Sequence, residues 1–156
     1  MEAAHQQKKV SRRTDQPEGT TIMPRILLVE DNPENRDMLS RRLERRGYEI
    51  LLAIDGQQAI EQAQQQQPDL ILMDIGLPGM DGCQATQRIR GMPKICRTPI
   101  IALTAHAMQG DRQWLLSAGC DDYHSKPVEL PRLLEQIRAL LSGGTSATDQ
   151  PLSDPP

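Results

Sequence analysis

The fold is indicated most clearly by Leu70–Asp74, which reads LILMD, and by the loop Ile75–Gly82 behind it, which reads IGLPGMDG. A continuous apolar run of this length, followed at once by glycine and proline, is typical of a strand buried on both faces of a parallel sheet. The run stops on a carboxylate. We therefore expect Asp74 to lie at the carboxyl end of a central strand.

Three other segments of the chain end on polar residues in the same way. They are Ile26–Val29 before Glu30 and Asp31, Ile100–Leu103 before Thr104, and Asp122–Ser125 before Lys126. Ligands of open α/β sheets bind outside the carboxyl ends of the strands. We therefore expect three carboxylates, a hydroxyl and an ammonium group to converge on one site.

Helical patterns separate the predicted strands. Met38, Leu39 and Leu43 predict the buried face of the first helix. Apolar spacing predicts that the last helix runs from Val128 to Leu141. Strands that alternate with helices predict an α/β fold, a doubly wound five-stranded parallel sheet with right-handed crossovers and five helices.

The two ends of the chain differ from its middle. Residues 1–22 are polar and aperiodic, and residues 143–156 are rich in glycine, threonine, serine and proline. Such segments bury too little apolar surface to fold, so we expect both to be disordered around one domain at residues 23–142. We also expect no further domain after Leu141.

Composition narrows the function classes. The formal net charge of −3 gives no general attraction to nucleic acid. No apolar run approaches membrane-spanning length, which predicts no membrane insertion. The cysteines, Cys83, Cys96 and Cys120, lack metal-site or disulfide spacing, which favours reduced thiols in a cytoplasmic protein.

The expected cluster of polar residues indicates a particular chemistry. Carboxylates without histidine or cysteine partners suit Mg²⁺ or Mn²⁺ better than zinc. Magnesium commonly completes its coordination with phosphate oxygens, and Lys126 and Thr104 are suited to hold further phosphoryl oxygens. Asp74 is then either a metal ligand or a nucleophile that forms an aspartyl phosphate.

Four motifs together resemble one family, the receiver domain of two-component response regulators. The resemblance covers about Arg25 to Leu141. The motifs are Ile26–Asn32 (ILLVEDN), Met73–Gly82 (MDIGLPGMDG), Ala102–His106 (ALTAH) and Asp122–Pro127 (DYHSKP).

The resemblance implies a role for each site residue and a flavodoxin-like sheet in the order 2-1-3-4-5. Asp74 would be the phosphoacceptor, and Glu30, Asp31, Asp74 and the backbone carbonyl of Gly76 would hold the metal. Glu30 replaces a commoner aspartate. The remaining implied roles are those of Thr104 and Lys126 as phosphoryl contacts, Tyr123 with Thr104 as the switch, and Pro127 after a cis peptide bond. For His106, we favour a rim residue that tunes water access over a metal ligand or phosphodonor.

The implied function is a step in a histidine-to-aspartate phosphorelay. A histidine kinase or histidine phosphotransfer protein would supply the phosphoryl group. Phosphorylation would alter the face formed by helix four, strand five and helix five, which would bind a downstream protein target. The chain would catalyse only its own phosphorylation and slow dephosphorylation, with no separate substrate turnover.

Three rival interpretations are open. An Asp-nucleophile phosphatase of the haloacid dehalogenase type needs a second aspartate two residues after the first, where this chain has Gly76. A flavodoxin-like FMN binder needs a Ser/Thr/Gly cradle after the first strand, where this chain has the acidic segment Glu30–Pro33. The third is an interaction module that binds its partner without phosphorylation.

Overall fold

The computed structural model describes residues 23–105 and 109–143. Within these residues, five strands alternate with five helices. In chain order they are β1 (Arg25–Val29), α1 (Pro33–Glu44), β2 (Glu49–Ala53), α2 (Gly56–Gln66), β3 (Leu70–Asp74), α3 (Gly82–Arg90), β4 (Ile100–Thr104), α4 (Gln109–Ser117), β5 (Asp122–Ser125) and α5 (Leu130–Leu141).

The strands form one parallel sheet in the order β2-β1-β3-β4-β5. β3 is central, and all of its residues are buried. The predicted α/β class, the parallel sheet and the strand order are therefore confirmed. The predictions for residues 1–22, for His106 and for the chain after residue 143 lie outside the described residues.

The aliphatic core has two layers, one on each face of the sheet. Alternate residues of β3 supply both, because side chains along a strand point to opposite faces. Ile71 and Met73 pack with residues of α2, α3 and α4, whereas Leu70 and Leu72 pack with residues of α1 and α5. Burying each such side chain contributes about 1.5–3 kcal/mol of transfer free energy.

Side-chain caps begin three helices beside the carboxyl edge of the sheet. The Asn32 carboxamide accepts from the Asn35 N–H at 2.9 Å, and the Asp55 carboxylate accepts from the Gln58 N–H at 2.8 Å. Asp81 and Gln84 form a reciprocal capping box at the start of α3. These caps fix where the loops at this edge end.

The prediction that Met38 faces the core is wrong. Its exposed fraction is 47%, whereas Leu39 and Leu43 are buried as predicted and Ser40 is buried beside them. Ser40 can occupy an inner position because its hydroxyl donates to the Asp37 carbonyl oxygen at 3.0 Å. An internally satisfied hydroxyl tolerates burial.

The last helix begins two residues later than predicted, at Leu130. Proline has no N–H to donate and is tolerated only in the first helical turn. A start at Val128 would put Pro131 beyond that turn, whereas the observed start puts it in the opening positions.

No helix in residues 23–105 and 109–143 has both the length and the apolarity needed to cross a bilayer. Among the helices of the described residues, the longest are α1 and α5, with 12 residues each. Crossing the hydrocarbon core takes about 20.

Gly82 allows α3 to start against the end of β3. A Cβ built on Gly82 would collide with the Asp74 carbonyl oxygen and lie 2.9 Å from Ile75 Cα. Both neighbours are backbone atoms and cannot rotate away. Glycine at this position therefore permits the close packing of helix and loop beneath Asp74.

We predict that Gly82→Ala destabilises the fold by about 1–3 kcal/mol through forced backbone movement. The matched control is Gly91→Ala, because a Cβ there meets its nearest atom at 3.6 Å. Chemical denaturation of both variants measures the difference. Equal stability of the two variants would contradict the close approach at Gly82.

Candidate functional site

Three carboxylates converge at the carboxyl edge of the sheet. Carboxylate oxygens of Glu30, Asp31 and Asp74 all lie within 4.8 Å of one another. The sheet register explains the convergence, because Val29 pairs with Met73 and the next residues along β1 and β3 are Glu30 and Asp74. The predicted meeting of the acidic residues is present in the structure.

The Lys126 ammonium group bridges two of these acids. Its Nζ lies 3.2 Å from Asp74 Oδ2 and 3.4 Å from Glu30 Oε1. Burial disfavours the charged ammonium, but the charges of Asp74 and Glu30 outweigh burial, so the pKa of Lys126 is raised. Lys126 therefore carries its positive charge at neutral pH.

Glu30 is the most enclosed of the three acids, with an exposed residue fraction of 3%. Burial raises the pKa of its carboxyl group, and the negative charge of Asp74 raises it further. The Asn32 N–H, at 3.1 Å from Oε2, and Lys126 act in the opposite direction. The net shift is upward, so ionised Glu30 lacks part of the stabilisation that water would give it.

The two oxygens of Asp74 have different partners. Oδ1 accepts from the Gly76 N–H at 3.0 Å, and Oδ2 faces Lys126. Asp74 is 5% exposed, whereas Gly76 and Asp31 are exposed beside it. The carboxylate is therefore held in a fixed orientation at the floor of an accessible acidic cleft.

Thr104 and Tyr123 lie on neighbouring strands next to this cleft. Thr104 ends β4 and is buried, and its carbonyl oxygen accepts from the Lys126 N–H at 2.7 Å. Tyr123 is half-buried and packs on the core layer that contains Met73. The Lys126–Pro127 peptide bond is cis.

Sequence reasoning missed one residue that contacts the acidic loop. The Arg36 guanidinium donates to the carbonyl oxygens of Glu30 at 2.8 Å and Asp31 at 3.4 Å. A cation near a helix N-terminus opposes the macrodipole. That unfavourable position in the sequence was the available signal that Arg36 has a partner.

We predict that Glu30→Gln stabilises the metal-free protein at pH 7, because the raised pKa of Glu30 means that its ionised carboxylate is less favourable in the folded chain than in the unfolded chain. The pKa of Glu30 is raised above 4.5 in the folded state, so between 4.5 and that raised value the folded chain binds more protons than the unfolded chain. Wild-type stability at this residue is therefore lost as pH rises through the window, and the advantage of Gln should vanish below about pH 4.5.

Chemical denaturation at pH 4 to 8 measures this difference. Glu34→Gln is the matched control, because Glu34 is an exposed acid in the first turn of α1. Its loss should cost a few tenths of a kcal/mol, about the size of a helix-dipole interaction. A wild-type protein more stable than Glu30→Gln at pH 7 would contradict the inferred stress on Glu30.

The chain is an open α/β domain with a parallel sheet that has three acids and a lysine at its carboxyl edge. The model of one family in this class, the response regulator receiver domain, matches residues 26–138. The chain belongs to that family.

Similar proteins include both small regulators and parts of larger kinases. The chain is 38% identical over 120 residues to the polar-differentiation response regulator DivK of Brucella anthropi, covering 76% of this chain and 98% of DivK. It is 45% identical over 108 residues to the signal transduction histidine-protein kinase BarA of Escherichia coli K12, covering 69% of this chain and 12% of BarA.

Solved structures with similar folds include a receiver domain and a chemotaxis protein. The receiver domain of sensor histidine kinase PA1611 from Pseudomonas aeruginosa PAO1 is 44% identical in sequence and superposes with a TM-score of 0.73. The alignment covers 78% of this chain and 99% of that domain. That structure has a magnesium ion coordinated in its active-site cleft. Chemotaxis protein CheY4 of Vibrio cholerae is 30% identical with a TM-score of 0.71, covering 75% of this chain and 98% of CheY4. The acidic cluster of this chain is compatible with a divalent metal site.

Proposed function

We propose that this receiver domain accepts a phosphoryl group on Asp74 in a histidine-to-aspartate phosphorelay. The observation that carries the proposal is the Asp74 carboxylate itself. It lies in a cluster of three acids whose oxygens are within 4.8 Å of one another, with a lysine ammonium 3.2 Å from Oδ2. The proposed receiver unit is residues 23–142.

The donor set fits Mg²⁺, or Mn²⁺ in its place. Glu30, Asp31 and Asp74 offer hard carboxylate oxygens, and the backbone carbonyl of Gly76 is the proposed fourth protein ligand. The bound ion supplies positive charge that offsets the charge on the phosphoryl oxygens. The raised pKa of Glu30 supports this assignment, because a cation would stabilise its ionised form.

The transfer needs no general base. An oxygen of ionised Asp74 forms a bond to phosphorus while the phosphorus–nitrogen bond of a phosphohistidine breaks, and the imidazole leaves with the bonding electrons. Lys126 holds one phosphoryl oxygen by charge, and the Thr104 hydroxyl donates a hydrogen bond to another.

The proposed output is a change in the face formed by α4, β5 and α5. Phosphorylation adds about −1.5 to −2 charge at Asp74. Thr104 would move toward that charge, and half-buried Tyr123 would turn inward to occupy the vacated space. The phosphate thus shifts the population between two packings rather than building a new structure.

The partners follow from this chemistry. A histidine kinase or histidine phosphotransfer protein donates the phosphoryl group, and a downstream protein target binds the altered face. The proposed setting is the cytoplasm, and no turnover of a separate substrate is proposed. Receiver domains as a family work with such partners, which supports the assignment.

We predict that Asp74→Asn abolishes phosphorylation by acetyl phosphate in the presence of Mg²⁺, because a neutral amide cannot attack phosphorus. The matched control is Asp81→Asn. Asn caps helices about as well as Asp, so the control keeps the cap of α3. Intact-mass spectrometry should show one added phosphoryl group on the wild type and on the control.

Stoichiometric labelling of Asp74→Asn would disprove the assignment of the phosphoacceptor. Beryllofluoride, which mimics an acyl phosphate, separates the rivals: a metal-dependent change at α4, β5 and α5 supports the switch, whereas no change supports the phosphorylation-independent interaction module. Sustained multiple turnover of acetyl phosphate, far faster than decay of the phosphoprotein, would support the Asp-nucleophile phosphatase.

A second prediction concerns the metal. Mg²⁺ should raise the melting temperature of the wild type, since a ligand that binds only the folded state stabilises it. Asp31→Asn should weaken Mg²⁺ affinity at least about tenfold, because it removes a charged ligand. Asp55→Asn, which keeps the cap of α2, is the control. Equal Mg²⁺ responses in all three proteins would exclude Asp31 as a ligand.

A further inference from the structure

A buried chain of polar side chains connects β5 to α5. Asp122, His124 and Gln136 are exposed by 1%, 0% and 3%. Buried polar groups in this number are costly unless their hydrogen bonds are satisfied. The phosphoryl chemistry proposed above uses none of the three.

The hydrogen bonds fix the protonation state of the imidazole. The Glu129 N–H donates to His124 Nε2 at 3.0 Å, so Nε2 must be the unprotonated nitrogen. Nδ1 then carries the proton and donates to Gln136 Oε1 at 2.7 Å. The Gln136 amide in turn donates to Asp122 Oδ2 at 2.9 Å and to the Tyr123 carbonyl oxygen at 2.8 Å.

This chain of hydrogen bonds holds the segment that carries Lys126. The Lys126 N–H bonds to the Thr104 carbonyl oxygen at the start of the segment, and Glu129 N–H bonds to His124 at its end. Between these two attachments the Lys126 ammonium reaches Asp74 Oδ2. Loss of the bond from the Glu129 N–H to His124 would disconnect this end of the segment from β5, although the Glu129 carbonyl oxygen would still accept from the Leu133 N–H at 3.0 Å and Val128 would still pack on the core.

We infer that His124 is a positioning residue for Lys126, and that proton uptake by His124 breaks the bond to Glu129 and slows phosphoryl acceptance at Asp74. A protonated Nε2 would point its N–H at the Glu129 N–H, and two donors cannot bond. The inference rests on the proposed function and adds a regulatory input, acid, to the same site.

The charged and polar groups around His124 set where it titrates. Burial lowers the pKa of His124 from its usual 6.5, and Arg132 on α5 lowers it further; the Gln136 hydrogen bond and Glu129 act in the opposite direction. Asp122 on β5 is linked to His124 by way of Gln136, whose amide donates to the Asp122 carboxylate. On β4, the residue paired with His124 in the sheet register is apolar Leu103. His124 is therefore neutral at pH 7, and it takes up a proton only at a pH below 6.5.

The first test observes the imidazole in the wild-type protein and uses a variant only to assign its signal. A long-range ¹H–¹⁵N spectrum of the wild-type imidazole should show the Nδ1–H tautomer at pH 7.5, with a titration midpoint below 6.5. His124→Leu identifies the signal by its loss. An Nε2–H tautomer, or a midpoint at or above 6.5, would overturn the inference.

The second test measures labelling of Asp74 by acetyl phosphate with saturating Mg²⁺ from pH 5 to 8. His124→Leu should label about fivefold more slowly at pH 7.5, the effect of losing roughly one hydrogen bond. The ratio of wild-type to variant rate should fall with acid, by at most about tenfold per pH unit for one proton. A ratio that stays constant across this range would overturn the inference.

Two surface variants keep the test decisive if His124→Leu does not fold. Arg132 and Glu129 are exposed, so Arg132→Gln and Glu129→Gln should fold and label at the wild-type rate at pH 8. Arg132→Gln should move the acid limb of the rate profile to higher pH, and Glu129→Gln to lower pH; unmoved limbs would overturn the inference. Absence of labelling at every pH would instead refute the proposed function, and the imidazole spectrum would still decide the state of His124.

Discussion

The structure depends on holding three like-charged carboxylates together against their repulsion. Two unit charges 4 Å apart interact by about 4 kcal/mol at an effective dielectric constant of 20. Oxygens of Glu30, Asp31 and Asp74 lie within 4.8 Å of one another, and the Lys126 ammonium offsets only part of the repulsion. The pKa of Glu30 is raised mainly because the carboxyl group is buried, and the negative charge of Asp74 raises it further. Such a cluster is compatible with a divalent metal site.

The scaffold tolerates this stress because the strands beneath the site are rigid. β3 and β4 are buried throughout, with core layers on both faces, so the ends of the strands cannot move apart without exposing apolar surface. Gly82 and the helix caps bring the loops close to Asp74 without steric clash. Hydrophobic packing far from the cleft thus stabilises an arrangement that local electrostatics oppose.

Sequence patterns were sufficient for the parallel α/β sheet and for which acids meet, whereas the strand order came from the resemblance to receiver domains. Apolar runs that end on charged residues specify parallel strands and the edge where their side chains converge. Sequence patterns were insufficient where a residue's environment depends on hydrogen bonds to other residues. Met38 was misplaced because Ser40 takes an inner position of α1, where its hydroxyl donates to the Asp37 carbonyl oxygen. Arg36 and the His124–Gln136 pair have no periodic signature, since their hydrogen bonds join separate elements.

Lys126 and Glu30, which meet in the cleft, are separated by 96 positions in the chain. The long separation makes the cleft one of the last parts of the molecule to form during synthesis, since β1 leaves the ribosome long before β5. A nascent or truncated chain that lacks β5 has the acids but not the lysine that faces them. Completion of the cleft therefore requires synthesis of the chain through β5.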